Sequence, residues 1–454
     1  MVPGTFTVVQ KFGGSSVADA TKMAACAKHV LKTKSQVGPK GEKTRVVVVV
    51  SAMGDTTDDL IALSKTVTAG SDSVNTDTRE MDQLLATGEQ AASALVALTL
   101  QRMGHKARSL TGWQAGIFCD ECFGRASITK IDPNALEELL SQDIIPVIAG
   151  FQGLAPDGSV ATLGRGGSDT TAVAIAGALG ATCEILKDVH GVYTADPRLV
   201  PGARRLDAVT YDEMLEAAAL GSQVIHPRAV ELAKKLKVPV RVLHSHEPEK
   251  GSTVIVAEDP SAAGRAVTSV VLKKAVGRIS IRGLNNRAGV QSEVFSPIAA
   301  AGVPVDDIIQ EDDGPGTINL TFTLDQGDAP KAAGIVRAIA GTIGAQAVRI
   351  DGALSTVSAV GAGMRNRPGV AAALFEALKH EQVVVENITT SEIRISVVVA
   401  EADGPRTARC IHKAFDLASE IASSSSVGSV GGTGAGISIE PLREVKAGSA
   451  QSGV

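Results

Sequence analysis

Aromatic residues are nearly missing from this chain: nine Phe, two Tyr and one Trp (Trp113) account for 3% of 454 residues. Cores without rings must be filled by Val, Ile, Leu and Ala, the composition of α/β proteins whose parallel strands are buried on both faces. Basic residues are in no surplus. A formal charge of -5 and a pI near 6.0 argue against a nucleic-acid-binding surface as the main business. A phosphate ligand stays open, since it needs only a local cluster of donors. No apolar stretch has the length of a membrane span, so no membrane partner is expected. The start, Met1-Val2-Pro3-Gly4-Thr5, runs straight into strand-like sequence with no signal-peptide pattern. Cysteines are few, odd in number and scattered (26, 119, 122, 183 and 410), which fits a reducing compartment. The expected location is therefore cytoplasmic. Cys119-Asp-Glu-Cys122 has metal-like spacing but lacks a second pair, with His105 the nearest other candidate. His244-Ser-His246 reads as a solvated loop after a strand. No protein-held metal is expected.

What is present is an ample apolar fraction, 44%, in a chain long enough for two or three domains. Thr5 to Gln10 reads as a strand and Asp19 to Lys34 as a helix. Arg45 to Ser51, with five consecutive valines, reads as a buried strand. Helices are expected across Asp58 to Val67, Arg79 to Arg102, Thr170 to Leu179 and Val224 to Leu236. Further strands are expected at Ile144 to Ala149, Cys183 to Lys187 and Val238 to Leu243. Such alternation predicts an α/β sandwich on a largely parallel sheet.

Past about Ala257 the pattern changes. Residues 258–266 read as a linker, and beyond it the chain repeats itself. Asn286-Arg-Ala-Gly-Val290 matches Asn366-Arg-Pro-Gly-Val370 at an offset of 80 positions. The same offset relates Gly283 to Gly363, Phe295 to Phe375 and Ile308 to Ile388. Each copy reads strand, Gly-containing turn, helix, strand, strand, an internal duplication of a small α+β module. The expected division is a catalytic domain over 1–257, one module over 267–350, a second over 351–435, and a disordered Ser/Gly-rich tail over 436–454.

Three glycine-containing segments carry the chemical signal. Lys11-Phe12-Gly13-Gly14-Ser15-Ser16 lies between a strand and a helix. It is not a Walker A loop, in which the lysine follows the glycines. The backbone N–H groups of residues 13 to 15 still offer an anion cradle, against the alternative of an ordinary turn with a solvated lysine. Leu163-Gly-Arg-Gly-Gly-Ser-Asp-Thr-Thr171 combines close-approach glycines with Arg165, a forked donor suited to a carboxylate. There Asp169 reads either as an N-cap or as a site residue. Asp188-Val-His-Gly-Val-Tyr-Thr-Ala-Asp-Pro-Arg198, after a strand, suits a nucleotide base and phosphates, though by itself it is a weak signal.

Together these segments resemble the aspartate kinase branch of the amino-acid kinase family. The resemblance is carried by Val8 to Ser16, Val50-Ser-Ala-Met-Gly-Asp-Thr-Thr-Asp58, Thr87-Gly-Glu89, Gly150-Phe-Gln-Gly153, Thr162 to Thr171, Gly191 to Arg198 and His226-Pro-Arg228. Gly361-Ala-Gly-Met364 and Thr390 to Ser396 resemble ACT modules. The resemblance implies an αβα kinase domain followed by tandem ferredoxin-like ACT modules. It implies phosphoryl transfer from ATP, with Mg²⁺, to the side-chain carboxylate of L-aspartate, the first step toward lysine, threonine and methionine. It assigns Lys11, Asp169 and Arg165 to catalysis, with Asp169 orienting or balancing Lys11. Phe12, Gly13, Gly14, Ser51, Ser168, Lys187, Asp188, Tyr193, Arg198 and Gln223 fall to ATP, and Thr57, Glu89, Arg165, Gly166, Gly167 and Ser168 to aspartate. The ACT modules imply a homo-oligomer and feedback control by lysine or threonine. The effector positions are Asn286, Val303, Pro304, Val305 and Gln310 in one module and Val384, Val385, Ser391 and Glu392 in the other.

The chain departs from that pattern in places. Lys187 stands where a small hydroxyl residue is usual, Leu186 where Tyr is common, and His190 where Asp or Pro is. Gln223 stands where a phosphate-contacting lysine is expected. Weaker grip on the ATP phosphates follows, with Lys187 either compensating or pointing into solvent. In the regulatory half, Pro304 and Val384 replace Asn residues that help hold an effector, and Asn286 replaces a frequent Asp. The expectation is weakened feedback or a changed ligand. Two other readings remain: a kinase of the same fold acting on another carboxylate such as glutamate, and an amino-acid sensor with a degenerate kinase domain.

Overall fold

The computed structural model describes residues 4–69, 77–222, 224–258 and 265–418. Gln223, the centre of the expected linker and the expected tail lie outside them. The N-terminal part begins with β1 (Thr5–Phe12), α1 (Ala20–Lys34), β2 (Lys43–Val50), α2 (Thr56–Thr68) and α3 (Thr78–Arg102). It continues through β3 (Ala107–Leu110), β4 (Ile117–Cys119), β5 (Ile128–Ile131), α4 (Asn134–Ser141), β6 (Ile145–Ala149), β7 (Gln152–Leu154) and β8 (Val160–Thr162). It ends with α5 (Gly167–Leu179), β9 (Thr182–Lys187), β10 (Ala208–Thr210), α6 (Tyr211–Ala219), α7 (Pro227–Leu236), β11 (Val240–His244) and β12 (Ser252–Val256).

Eight of these strands form one sheet in the order β10-β12-β11-β9-β1-β2-β6-β3. Only β11 and β12 run antiparallel. Strand alternation sends Phe12, Val46, Val48 and Val50 to a core beneath α1 and α3. Val9, Val47, Val49, Cys183 and Ile185 go to a larger core beneath α4 to α7. This is the three-layer sandwich expected from the alternating pattern, and helices on both faces explain why the central strands are almost wholly apolar. A second sheet, β5-β4-β7-β8, flanks the larger core and delivers the chain into α5. Its three- and four-residue strands were not legible in the sequence. Nor was α6, although Thr210 and Glu213 form a capping box at its start. The helix expected from Val224 begins instead at Pro227, because proline fits the first helical position, with His226 as its N-cap.

The C-terminal part comprises β13 (Ser269–Asn285), α8 (Val290–Ala300), β14 (Ile308–Asp312), β15 (Thr317–Asp325), α9 (Ala329–Ile343) and β16 (Ala347–Val360). It ends with α10 (Val370–His380), β17 (Asn387–Ser391), β18 (Arg394–Ala400) and α11 (Gly404–Ala414). The repeat is realised in the backbone: Gly289 and Gly369 N-cap α8 and α10 at φ of 90° and 94°, a conformation that glycine adopts without Cβ strain.

The two copies share one antiparallel sheet, β14-β15-β13-β16-β18-β17. Both long central strands serve two cores. Val270 of β13 and Val357 of β16 pack with Leu374 of α10 and Ile411 of α11. Ile279 of β13 packs with Val294 of α8, Val336 of α9 and Phe322 of β15. The changeover falls where the β13–β16 pairing shifts, and there Ala275 and Ala353 both take φ of 56°. The second core therefore borrows its edge from the first residues after the linker, a swap that a linear repeat does not reveal.

Candidate active site

The carboxyl ends of β1, β2, β6 and β9 lie side by side, and in open parallel sheets ligands bind outside such ends. Lys11 and Ile185 are register partners on β1 and β9, so both face α5. Asp169, in the first turn of α5, meets the lysine there: Lys11 Nζ lies 2.7 Å from Asp169 Oδ1. Lys187 also faces α5, two residues beyond Ile185, with its Nζ 3.6 Å from Asp169 Oδ2. All three side chains are buried or half-buried. Burial raises the Asp169 carboxyl, but Lys11, Lys187 and the backbone N–H of His226 overcome it and hold the group below the usual carboxylate range. Asp169 thus pairs with two lysines and is not the N-cap of α5, a place that Gly166 holds. Lys187 does not point into solvent.

The turn after β1 is tightly built. Gly13 and Gly14 lead into a single 3-10 turn, Gly14–Val17, before α1. A Cβ on Gly14 would stand 2.6 Å from the Ala52 carbonyl, so only glycine admits this approach of two backbones. Ser51 follows β2, and its N–H donates to the Phe12 carbonyl.

Glu89, buried on α3, accepts a backbone hydrogen bond from Ala52 and faces the field of Lys11. Its second oxygen is buried without a hydrogen-bond partner. Desolvation pushes this carboxyl up to about 7. A half-protonated carboxyl with an open oxygen suits an incoming ammonium group.

The loop from Leu163 to Gly167 is held from two sides. Asp82 of α3, a buried residue not singled out from sequence, accepts from Thr162 N at 2.7 Å, Thr162 Oγ1 at 2.6 Å and Gly124 N at 2.8 Å. Arg228 donates to the carbonyls of Leu163 and Ala126. This explains the His226-Pro227-Arg228 motif as scaffolding. Gly166, at φ of 72°, would drive a Cβ to 2.1 Å from the His226 ring. Arg165 stands exposed at the loop tip, Ser168 is buried beneath it, and Thr57 is half-buried at the start of α2.

Other expected residues lie further out. Arg198 is exposed, with its guanidinium on Asp196 at 2.8 Å, and Asp188 is exposed. Tyr193 is half-buried on the same loop. His244 is not in a solvated loop: it ends β11, and its ring stacks on His190 at 4.4 Å, with His190 Nε2 3.3 Å from Glu247. This trio has ligand-like spacing. His244 Nδ1, however, accepts the backbone N–H groups of His246 and Glu247. The neutral ring therefore carries its hydrogen on Nε2 and is a poor metal ligand there.

The expected effector residues do not meet within one chain. Val303 is buried and Pro304 exposed in the connection to β14, which carries Gln310, a partner of Gln291. Asn286 is exposed after β13, and Val305 is half-buried. Val384, exposed, and Val385 precede β17, whose last residue is Ser391, and Glu392 pairs with Arg365 at 2.7 Å. β14 and β17 are the opposite edges of the six-stranded sheet.

Residues 6–244 match the model of the Amino acid kinase family, and residues 357–415 match an ACT domain. Aspartokinase 2 of Bacillus subtilis is 41% identical over 411 residues, spanning 90% of this chain and 98% of that one. An aspartokinase of Mycolicibacterium smegmatis is 42% identical over 418 residues, spanning 90% and 96%. Among solved structures, E. coli aspartokinase III in complex with aspartate and ADP superposes with a TM-score of 0.72 at 25% identity, covering 90% of this chain and all of the other. The same enzyme with lysine and aspartate, described as its T-state, gives 0.71. The chain belongs to the amino acid kinase family, in its aspartokinase branch, with a C-terminal ACT domain.

Proposed function

We infer that this protein is an aspartate kinase, converting ATP and L-aspartate to ADP and 4-phospho-L-aspartate, the first step of lysine, threonine and methionine biosynthesis. The observation that carries the reading is the buried Lys11–Asp169 pair, set beside the Gly13–Gly14 turn and facing Glu89. The β-carboxylate of aspartate has an ordinary pKa near 4. It is already ionised and needs no general base. One of its oxygens attacks the γ-phosphorus as the bond to the ADP oxygen breaks, so the protein's task is to hold two anions together and neutralise charge on the transferring group.

Lys11 supplies that charge, and Asp169 fixes its ammonium. Phe12, Gly13, Gly14, Ser51 and Ser168 line the phosphate end of ATP, with Asp188, Tyr193 and Arg198 toward the base and Gln223 as a neutral contact. Glu89 takes the α-ammonium of aspartate, and Arg165 its carboxylate. Thr57, Gly166, Gly167 and Ser168 complete that pocket. Both Asp169 oxygens face lysines and are not offered to a metal. Mg²⁺ is therefore assigned to the ATP phosphates as the ion carried in with the substrate.

Catalysis is assigned to residues 1–257, with 258–266 as the linker and regulation in 267–350 and 351–435. The separation of the two effector half-sites at opposite sheet edges favours a homo-oligomer, in which a second copy completes each one. Turnover of ATP with L-aspartate, trapping the acyl phosphate with hydroxylamine beside an L-glutamate control, tests the reaction. Aspartate-dependent hydroxamate is expected. No product with either acid, from folded protein that still binds an amino acid, would support a sensor instead.

A further inference from the structure

We propose that Asp82 is a positioning residue that sets the chain length of the acid this site accepts, by tying the Arg165 loop to the helix that carries Glu89. The inference rests on the reading of the site as a carboxylate kinase site. Asp82 and Glu89 are both buried on α3. They stand two helical turns apart, about 10 Å along the axis, and so share one face. Glu89 meets the Ala52 N–H just after β2. Asp82 meets the end of β8, from which the loop to α5 departs.

The helix between these two points is held in register on both sides. A Cβ on Gly88 would stand 2.9 Å from that of Ala52, so α3 is seated closely on the turn after β2. The β7–β8 hairpin is bonded along the same helix. Arg79 Nε donates to Ser159 Oγ at 3.1 Å, Gln152 Nε2 to the Ala86 carbonyl at 3.0 Å, and Gln90 Nε2 to Gln152 Oε1 at 3.1 Å. Asp82 makes the shortest bonds of the set. Its Oδ2 accepts from Thr162 N and Gly124 N, and its Oδ1 from Thr162 Oγ1, at 2.6 to 2.8 Å. Thr162 ends β8, and the Gly124 carbonyl backs Gly164 inside the loop, 2.9 Å from where a Cβ would stand. Directional bonds from both oxygens fix the loop where apolar packing alone would let it shift.

Aspartate and glutamate present the same α-ammonium and α-carboxylate and differ by one methylene before the reacting carboxylate. Glu89 and Arg165 hold the shared end, while Lys11 and the Gly13–Gly14 turn mark the phosphate end. The space between the two ends decides whether one methylene or two will fit, and the Asp82 tie is one wall of that space. A pocket rejects an extra methylene only as far as its walls hold still.

Calorimetric binding of L-aspartate, L-glutamate and ATP to the full-length protein, with hydroxamate turnover in parallel, tests the proposal. Asp82→Ala is expected to weaken aspartate roughly tenfold or more, and ATP by less than about twofold. The preference for aspartate over glutamate should shrink at least about fivefold. Asp82→Asn should recover most of the loss, because its amide oxygen can accept both N–H groups while its NH₂ donates to the Thr162 hydroxyl. If Asp82→Ala does not fold, Thr162→Val removes the hydroxyl bond alone and Thr162→Ser keeps it. The first should then shift the aspartate-to-glutamate ratio, and the second should not. Equal losses for aspartate and ATP, or an unchanged ratio, would overturn the proposal and leave Asp82 as a stability contact. A wild-type protein that prefers aspartate in this Asp82-dependent way but makes no hydroxamate would sink the kinase reading and keep the positioning role.

Discussion

Thr194, in the loop after β9, and His412, on α11 of the second ACT copy, share a buried hydrogen bond of 2.9 Å. The Thr194 carbonyl also accepts from Val270 N at 2.7 Å, and Ala195 and Val200 of the same loop belong to the core around Val357 and Leu374. The loop that carries Tyr193 and Arg198 is thus packed into the regulatory half, and a rearrangement of that half has a direct mechanical path to it.

His412→Ala should cost about 1–3 kcal/mol of stability, because the Thr194 hydroxyl loses its ring partner and keeps only the Arg204 N–H, and because packing is lost. It should also alter KM for ATP more than KM for aspartate. Burial, with Arg204 and Arg265 nearby, holds His412 below the usual histidine value. The unfolded chain therefore takes up the proton first, and stability should decline as pH falls below about 6.5. Thermal melts from pH 8 to 5 should show that limb in the wild type and a shallower one in His412→Leu.

Glu89 reverses the sign. Its carboxyl is raised from 4.5 to about 7, so the folded state binds the proton more tightly and loses stability as pH rises between those values. Glu89→Gln should stabilise the fold at pH 8 by on the order of 2–3 kcal/mol while raising KM for aspartate at least tenfold. In the wild type, KM for aspartate should climb as pH drops below 7. A flat profile from pH 8 to 6 would remove Glu89 from the ammonium site.

Lys11→Ala should lower kcat by roughly a thousandfold or more, and, because it breaks a buried ion pair, should lower the melting temperature as well. Asp169→Asn leaves Lys11 facing Lys187 without an intervening anion, and should lose about 3 kcal/mol or more of stability as well as activity. Near-normal turnover in Lys11→Ala would refute its assignment.

Lysine or threonine should inhibit the purified protein weakly. Pro304 and Val384 are exposed positions whose side chains cannot hydrogen-bond an amino acid. Inhibition curves with and without Val384→Asn would decide this. Tight inhibition of the unmodified protein by either amino acid would contradict the expectation.

The sandwich and the doubled ACT pattern were legible because each rests on local signals: a run of valines, helical spacing, and glycines repeated 80 positions apart. Lys11, Arg165 and Asp169 could be singled out because they sit in long motifs, and Glu89 because Thr87-Gly-Glu89 accompanies them. Strand pairing between distant segments leaves no such mark, so the crossing of β13 into the second core was hidden. Asp82 was equally hidden, since a lone helical aspartate reads as surface until Thr162, 80 residues away, turns its N–H and hydroxyl toward it. The sequence by itself determined which residue types were available: a lysine before two glycines, and a lysine ahead of Asp188. Only the tertiary structure decided their charge environment. The parity of β9 puts Lys187 on the face of α5, and α5 brings one carboxylate to two ammonium groups. Coulomb interactions depend on distance through space, which the chain acquires only when the sheet closes.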